Sequence, residues 1–279
     1  DVALRPETTP SIARMIRARG DLKKPIRWYS ISQCYRYEAL QKGRSREFFQ
    51  FNLDYLGSKS IQIDAEVIVT LIRILEEFGL NNKDFKIKIS NRKILNEVFK
   101  SLKILKEKEV ARILDKKGKI SDSEVKKELK RIGLKEKQMI ELFKLFEIKD
   151  VNKMKFEEGS KELKELFSML KKYRVDKYCV LDLGIMRGFD YYTGTVFEAF
   201  DMRNEFRSIA GGGRYDDLAG MPGIGYGIGD IVLSLLLEGK KKIPELENKI
   251  ELLIIPINTT IKCIPLAEKL RNAGIKAIL

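Results

Sequence analysis

The sequence predicts an α+β fold: an antiparallel β-sheet flanked by helices, with a helical insertion and the start of a C-terminal α/β unit. Three observations lead there. Residues 33–54, QCYRYEALQKGRSREFFQFNLD, read as two strands around a basic loop, because both flanks alternate with the two-residue period of strand side chains. Strands at 178–184, 195–200 and 206–210 follow one another too closely for crossover helices, which gives an antiparallel meander. Residues 101–175, lying between these β regions, are helical in pattern, rich in Lys and Glu, and punctuated by Gly118, Gly133 and Gly159.

The central hairpin carries the polar groups. Cys34, Arg36 and Glu38 share one face, with Tyr35 and Tyr37 on the other. After the loop, Phe49, Phe51, Leu53 and Tyr55 point one way and Gln50, Asn52 and Asp54 the other. Paired strands would give Arg36 and Glu38 a common floor with Gln50 and Asp54, beneath the cations Lys42, Arg44 and Arg46. Phe48 adds an aromatic ring to that polar face. A solvated hairpin face is the plain reading, but four groups able to make directional contacts suit a small, doubly polar ligand attached to an anion.

Composition narrows the chemistry. The 279 residues can bury a sizeable core. No apolar run approaches the roughly 20 residues that cross a bilayer, so no membrane partner and a soluble protein are expected. Cys34, Cys179 and Cys263 have neither disulfide-framework nor metal-site spacing, which fits a reducing cytoplasm. The net charge is +14, and residues 101–175 hold 22 Lys and Arg against 14 Asp and Glu. Such an excess suits a polyanion. The chain has no histidine, which excludes Ser-His-Asp and Cys-His catalysis and imidazole ligation of a metal. Arginines, carboxylates, tyrosines and backbone dipoles remain, a set suited to phosphoryl and nucleotidyl transfer, where positioning and charge stabilisation dominate.

In chain order, Thr9 and Pro10 read as N-cap and first residue of a helix in which Ile12, Met15, Ile16 and Arg19 recur at helical spacing, ended by Gly20. Glu7 just ahead complements its dipole, the more probable role from spacing alone. A β-rich run at 26–33 enters the hairpin. Ser60 caps a helix over 62–78, a strand covers 85–90, and a helix 92–102. Gly211-Gly212-Gly213-Arg214-Tyr215 reads as a glycine turn entering a short helix, at which a backbone approaches a ligand or simply turns. PGIGYGIGD at 222–230 is a glycine-spaced strand before an apolar helix at 231–237, with neither Walker nor dinucleotide spacing. Residues 251–279 read as strand, helix, strand.

Arg36-x-Glu38, the loop 42–46, Glu47-Phe48-x-Gln50 and Asp54, with LRPETTPSIARM upstream and MRGFDYYTGTVFE downstream, resemble the histidyl-tRNA synthetase family of class II aminoacyl-tRNA synthetases. The likeness runs from Leu4 to about Leu237 and is weakest through the Lys-rich middle. It implies a class II catalytic domain in two parts, 1–100 and 176–240, a helical insertion at 101–175, and an incomplete anticodon-binding α/β domain at 251–279. The chain is read as truncated at both ends, since no first class II motif precedes Asp1.

The resemblance implies the roles of the site residues. Arg36 and Arg187 would flank the α-phosphate of ATP as catalytic residues. Glu38, Arg44 and Phe48 would bind ATP, through the adenine amino group, the outer phosphates with Mg²⁺, and ring stacking. Glu7, Thr9 and Gln50 would hold the α-ammonium of histidine, Asp54 and Tyr192 its imidazole, with Tyr191 and Tyr215 also in that pocket. The metal ligands are not specified. Implied partners are histidine, ATP, histidine tRNA and a second copy in a homodimer. Val232 stands where most class II enzymes place an arginine over the adenine, a departure from the family's third motif at 222–230. Two other readings stay open: a regulatory paralogue of histidine biosynthesis, which typically loses the 187–192 segment intact here, and a non-catalytic RNA-binding module, which needs neither Asp54 nor Glu7.

Overall fold

In the computed structural model, which describes residues 3–39, 41–116, 120–154, 156–185, 192–203, 205–218, 220–244 and 250–279, helix α1 (Thr9–Arg17) leads into a hairpin of β1 (Ile26–Tyr35) and β2 (Glu47–Leu56). The hairpin pairs without a break from Ile26 opposite Leu56 to Tyr35 opposite Glu47. The separate runs expected at 26–33 and 34–38 are therefore one strand, and pairing continues where Arg36 N–H donates to the Arg46 carbonyl at 2.9 Å. Helix α1 starts one residue earlier than expected, with Thr8 at the N-cap and Pro10 in the first turn. The Thr8 hydroxyl makes no cap bond because Asn52 and Ser32 engage it. The buried stripe is Ile12, Ala13 and Ile16; Met15, expected on it, is exposed.

Ser60 accepts from Gln62 N–H at 3.2 Å and starts α2 (Ile61–Glu77), whose Val67, Ile68, Leu71, Ile72 and Leu75 are buried. Strand β3 (Phe85–Asn91) and helix α3 (Arg92–Ser101) follow, then α4 (Glu107–Leu114), α5 (Asp122–Arg131), α6 (Glu136–Glu147) and α7 (Glu158–Lys172). Their apolar stripes pack into one cluster: Leu129, Leu142, Leu163, Leu166 and Leu170 are buried together with Phe85, Ile87 and Ile89 of β3. Their Lys and Glu side chains are left facing outward, as an amphipathic helix requires.

Strands β4 (Cys179–Leu181), β5 (Thr195–Asp201), β6 (Ala210–Leu218) and β7 (Met221–Gly229) complete a seven-stranded sheet in the order β1-β2-β7-β6-β5-β3-β4. The antiparallel meander runs through β5, β6 and β7, not through the strands read at 178–184, 195–200 and 206–210: β4, the first of these, pairs in parallel with β3, the only parallel pair of this sheet among the described residues. Two expectations are corrected. The strand read at 178–184 has only three residues and follows a 3₁₀ turn at Asp176–Tyr178. The glycine run at 211–213, read as a turn entering a helix after a strand at 206–210, lies inside β6. Its glycines answer to close packing: a Cβ on Gly212 would lie 2.6 Å from Tyr226 Cβ. Helix α8 (Asp230–Gly239) leaves the end of β7.

Chain contacts divide the molecule into two units, Asp1–Lys242 and Ile243–Leu279. In the second, β8 (Leu252–Leu253) and β9 (Ala277–Ile278) pair in parallel around α9 (Thr260–Asn272), the strand-helix-strand order read from the sequence.

A buried ion pair ties the sheet to α2. Arg214 on β6 is 6 % exposed and Asp64 fully buried. Arg214 Nε donates to both Asp64 carboxylate oxygens, at 2.8 and 3.1 Å, and Nη2 also reaches Oδ1. Its remaining N–H groups donate to the carbonyls of Ser58 (2.9 Å) and Ser60 (3.1 Å), just before the helix. Removing one partner strands the other charge without water. Asp64→Ala is therefore expected to cost about 3–5 kcal/mol in chemical denaturation, with the double change Asp64→Leu, Arg214→Met recovering most of it; equal losses in both variants would contradict this.

Candidate active site

Strand β2 supplies the floor of the site and β7 makes room for it. Gln50, Asn52 and Asp54 lie directly opposite Gly229, Gly227 and Gly225, so all six share one face. A Cβ on Gly225 would stand 2.6 Å from Asp54 Oδ1, one on Gly227 2.6 Å from Gln50 Nε2, and one on Gly223 2.6 Å from the Tyr215 ring. The alternate glycines of β7 thus let three polar side chains of β2 and one phenol of β6 lie flat against the sheet. On the opposite face Phe51 stacks on Tyr29 at 6.0 Å and packs against Tyr226 at 6.2 Å.

The segment before α1 closes one side. Tyr35 N–H donates to the Arg5 carbonyl at 2.9 Å, and Arg36 Nε donates to the Pro6 carbonyl at 3.0 Å. These bonds draw Glu7 and Thr9 over β2. The result is a cavity of about 190 Å³, lined by Glu7, Thr9, Arg36, Gln50, Asp54, Tyr192 and Tyr215, all of which the sequence singled out. Gly211, from the glycine run read as a place where backbone approaches a ligand, lines it as well, as do Asn52, Tyr226, Gly225 and Gly227, which were not singled out. Asn52 had a signal, since it alternates with Gln50 and Asp54. Arg187 and Tyr191 lie outside the described residues.

The three remaining residues do not line this cavity. Phe48 lies under the Arg36 guanidinium, 5.0 Å from its centre, while Glu38 and Arg44 form an ion pair at 2.5 Å. The loop between the strands turns at Gly43 (φ 81°), where a Cβ would lie 3.4 Å from Val232 Cγ2. Backbone of the basic loop therefore approaches the side chain that occupies the expected arginine position.

Asp54 dominates the electrostatics of the cavity. It is 2 % exposed; Tyr215 Oη donates to its Oδ1 at 2.9 Å, and its Oδ2 is buried without a partner. Burial raises its pKa from 3.8 to about 6, against the Tyr215 hydrogen bond, and the negative charge of Glu7 adds to the rise. An unsatisfied buried carboxylate oxygen costs free energy until a donor arrives. Arg36 Nη2 approaches Gln50 Oε1 at 3.5 Å on the other side of the site. The cavity therefore offers acceptors at Asp54 and Glu7 and a cation at Arg36, complementary to an elongated ligand with donors at two places and an anionic group. Among the described residues no cluster of three acidic or thiolate side chains is placed to hold a metal ion.

The Asp54 shift has a definite sign. Between pH 4 and 6 the folded chain holds a proton that the unfolded chain has lost, so stability from this group is full below pH 4 and falls as pH rises through 6. Relative to the wild type, Asp54→Asn should gain on the order of 2–3 kcal/mol in unfolding free energy between pH 4 and 7. A difference that stays flat over this range in urea denaturation would show that the carboxyl is not perturbed.

Comparison with known proteins identifies the family and the fold. The family model described as histidyl-tRNA synthetase matches residues 1–226. The histidine–tRNA ligase of Pyrococcus abyssi is 39% identical over 99% of this chain and 69% of its own length, and the chloroplastic/mitochondrial histidine–tRNA ligase of Arabidopsis thaliana 35% identical over 98% and 60%. The chain thus spans about 60–69% of the length of these relatives. The crystal structure of histidyl-tRNA synthetase from Nostoc sp. PCC 7120 superposes with a TM-score of 0.81, at 29% identity, covering 99% of this chain and 70% of that one. An ATP phosphoribosyltransferase regulatory subunit/histidyl-tRNA synthetase from Bacillus halodurans C gives 0.78 at 25% identity, covering 99% and 73%. With the α+β class II sheet, the glycine-floored cavity and a family match over most of its length, this chain belongs to the histidyl-tRNA synthetase family.

Proposed function

We propose that the protein activates histidine with ATP, giving histidyl-adenylate and pyrophosphate, and passes the histidyl group to the 3′ end of histidine tRNA. The observation that carries this reading is the buried Asp54, whose free oxygen shares a cavity with Glu7 and Arg36. An imidazole N–H donates to Asp54 Oδ2. The ammonium lies among Glu7, Thr9 and Gln50, and the carboxylate is turned toward Arg36. Tyr192 is assigned to the second imidazole nitrogen, with Tyr191 and Tyr215 completing the pocket. A site that hydrogen-bonds a ring nitrogen rejects ligands lacking it by roughly 10⁴-fold, because the buried acceptor would be left unpaired.

Activation joins the histidine carboxylate oxygen to the α-phosphorus as the bond to the bridging oxygen of pyrophosphate breaks. Both reactants are anionic, so stabilising negative charge is the main task. Arg36 does this from the cavity rim, held by Pro6 and by the Phe48 ring, and its planar fork matches phosphate oxygens. Arg187 is assigned to the opposite side of the phosphorus. Glu38, Arg44 and Phe48 are assigned to the nucleotide, which requires the Glu38–Arg44 pair to separate as ATP enters. Magnesium would accompany the triphosphate, since this ion is usually held by phosphate oxygens with one or two carboxylates and not by a dedicated protein cage.

The domain reading stays as proposed: catalytic parts at 1–100 and 176–240, the helical insertion at 101–175 and an anticodon-binding unit beginning at 251. The lysine surplus of the insertion would face the acceptor arm of the tRNA. A second copy of the chain is the proposed protein partner, and the cytoplasm, where three free cysteines stay reduced, the proposed compartment. No helix among the described residues is long and apolar enough to cross a membrane. The regulatory reading is less supported, because the pocket residues and the 187–192 segment are all retained in the sequence.

ATP–pyrophosphate exchange should depend on histidine and on no other amino acid; exchange driven by threonine or proline would overturn the substrate. Arg36→Ala should lower the exchange rate by roughly 10²–10³-fold, as expected for a lost donor to developing charge, with thermal stability little changed. A variant that exchanges at the wild-type rate would remove Arg36 from the mechanism.

A further inference from the structure

Asn52 lies beneath the proposed ammonium position, and its amide is occupied on both sides. It is 3 % exposed. Its Oδ1 accepts from Gln50 Nε2 at 2.5 Å, and its Nδ2 donates to Thr8 Oγ1 at 3.2 Å and to the backbone carbonyl of Gln50 at 3.3 Å. The Thr8 hydroxyl is also hydrogen-bonded to Ser32 on β1. One buried amide thus links β2, β1 and the residue between Glu7 and Thr9.

A primary amide has a donating end and an accepting end of nearly equal size, so shape alone does not decide which way Gln50 faces. Hydrogen-bond chemistry does. With Gln50 Nε2 donating to Asn52, the accepting Oε1 is the end turned toward Arg36 and the cavity. An acceptor there suits an ammonium, whereas the flipped amide would point N–H groups at a cation. Gly227 permits the arrangement, because a Cβ there would stand 2.6 Å from Gln50 Nε2 and 3.1 Å from Asn52 Oδ1.

Resting on the reading of the cavity as a histidine site, we propose that Asn52 is a positioning residue that fixes Gln50 with its carbonyl oxygen toward the α-ammonium of the substrate. Its contribution is confined to the amino group, since the imidazole is held two residues further along β2 by Asp54.

Calorimetric titration of the chain with L-histidine and with 3-(imidazol-4-yl)propionate, which lacks the amino group, separates the two ends of the ligand. Asn52→Leu should weaken histidine by about tenfold or more while leaving the propionate within about twofold. If Asn52→Leu does not melt cooperatively, Asn52→Ala takes its place in the same comparison. Unchanged histidine affinity in the apolar variant overturns the proposal, and so does an equal loss of both ligands, which would make Asn52 a general support of the pocket. A wild-type chain that binds neither ligand would overturn it together with the histidine reading. A wild type that prefers histidine, with a variant that keeps the preference, overturns the role of Asn52 alone.

Discussion

The site depends on close contact between two strands. Strand β7 has glycine at every second residue from Gly223 to Gly229, and those positions face the Tyr215 ring, Asp54, Asn52 and Gln50. Because side chains on neighbouring strands stand side by side, any Cβ at Gly223, Gly225 or Gly227 would occupy space these groups now fill. The register also has no slack. A one-residue slip would turn Gln50, Asn52 and Asp54 to the face where Phe51 and Tyr226 pack, burying three polar groups in an apolar layer.

Two buried polar devices hold that arrangement in place and differ in character. The Arg214–Asp64 pair fastens β6 to the start of α2, with every guanidinium nitrogen donating either to Asp64 or to the Ser58 and Ser60 carbonyls. Asp54 is held on one oxygen only and keeps the other for a visitor. Interiors normally satisfy every buried polar atom. Asp54 lines the cavity, where a ligand's donor can reach its free oxygen, and the Arg214–Asp64 pair lies outside that lining.

Part of this was legible in the residues. The strict alternation from Phe49 to Tyr55 gave β2 its two faces and put Gln50 and Asp54 on one of them, whereas Glu7, Thr9, Tyr192 and Tyr215 were placed in the same cavity only by the family resemblance. The glycine run at 211–213 was misread because glycine permits turns and close strand packing alike, and only the partner, here Tyr226, distinguishes them. Thr9 before Pro10 reads as the cap because a threonine there can serve locally; in the fold Thr8 holds that position, and its hydroxyl turns to Ser32 and Asn52 instead of capping. Asn52 itself was visible as a polar residue on the right face, but its role lies in which atoms its neighbours offer, and a sequence does not show that.

The central claim is that the free oxygen of Asp54 awaits an imidazole N–H. A crystal structure of the chain with bound L-histidine tests it most directly. The account predicts a ring nitrogen within hydrogen-bond distance of Asp54 Oδ2 and the ammonium beside Glu7 and Gln50 Oε1. Histidine lying elsewhere, or lying in the cavity with its ring turned away from Asp54, would contradict it.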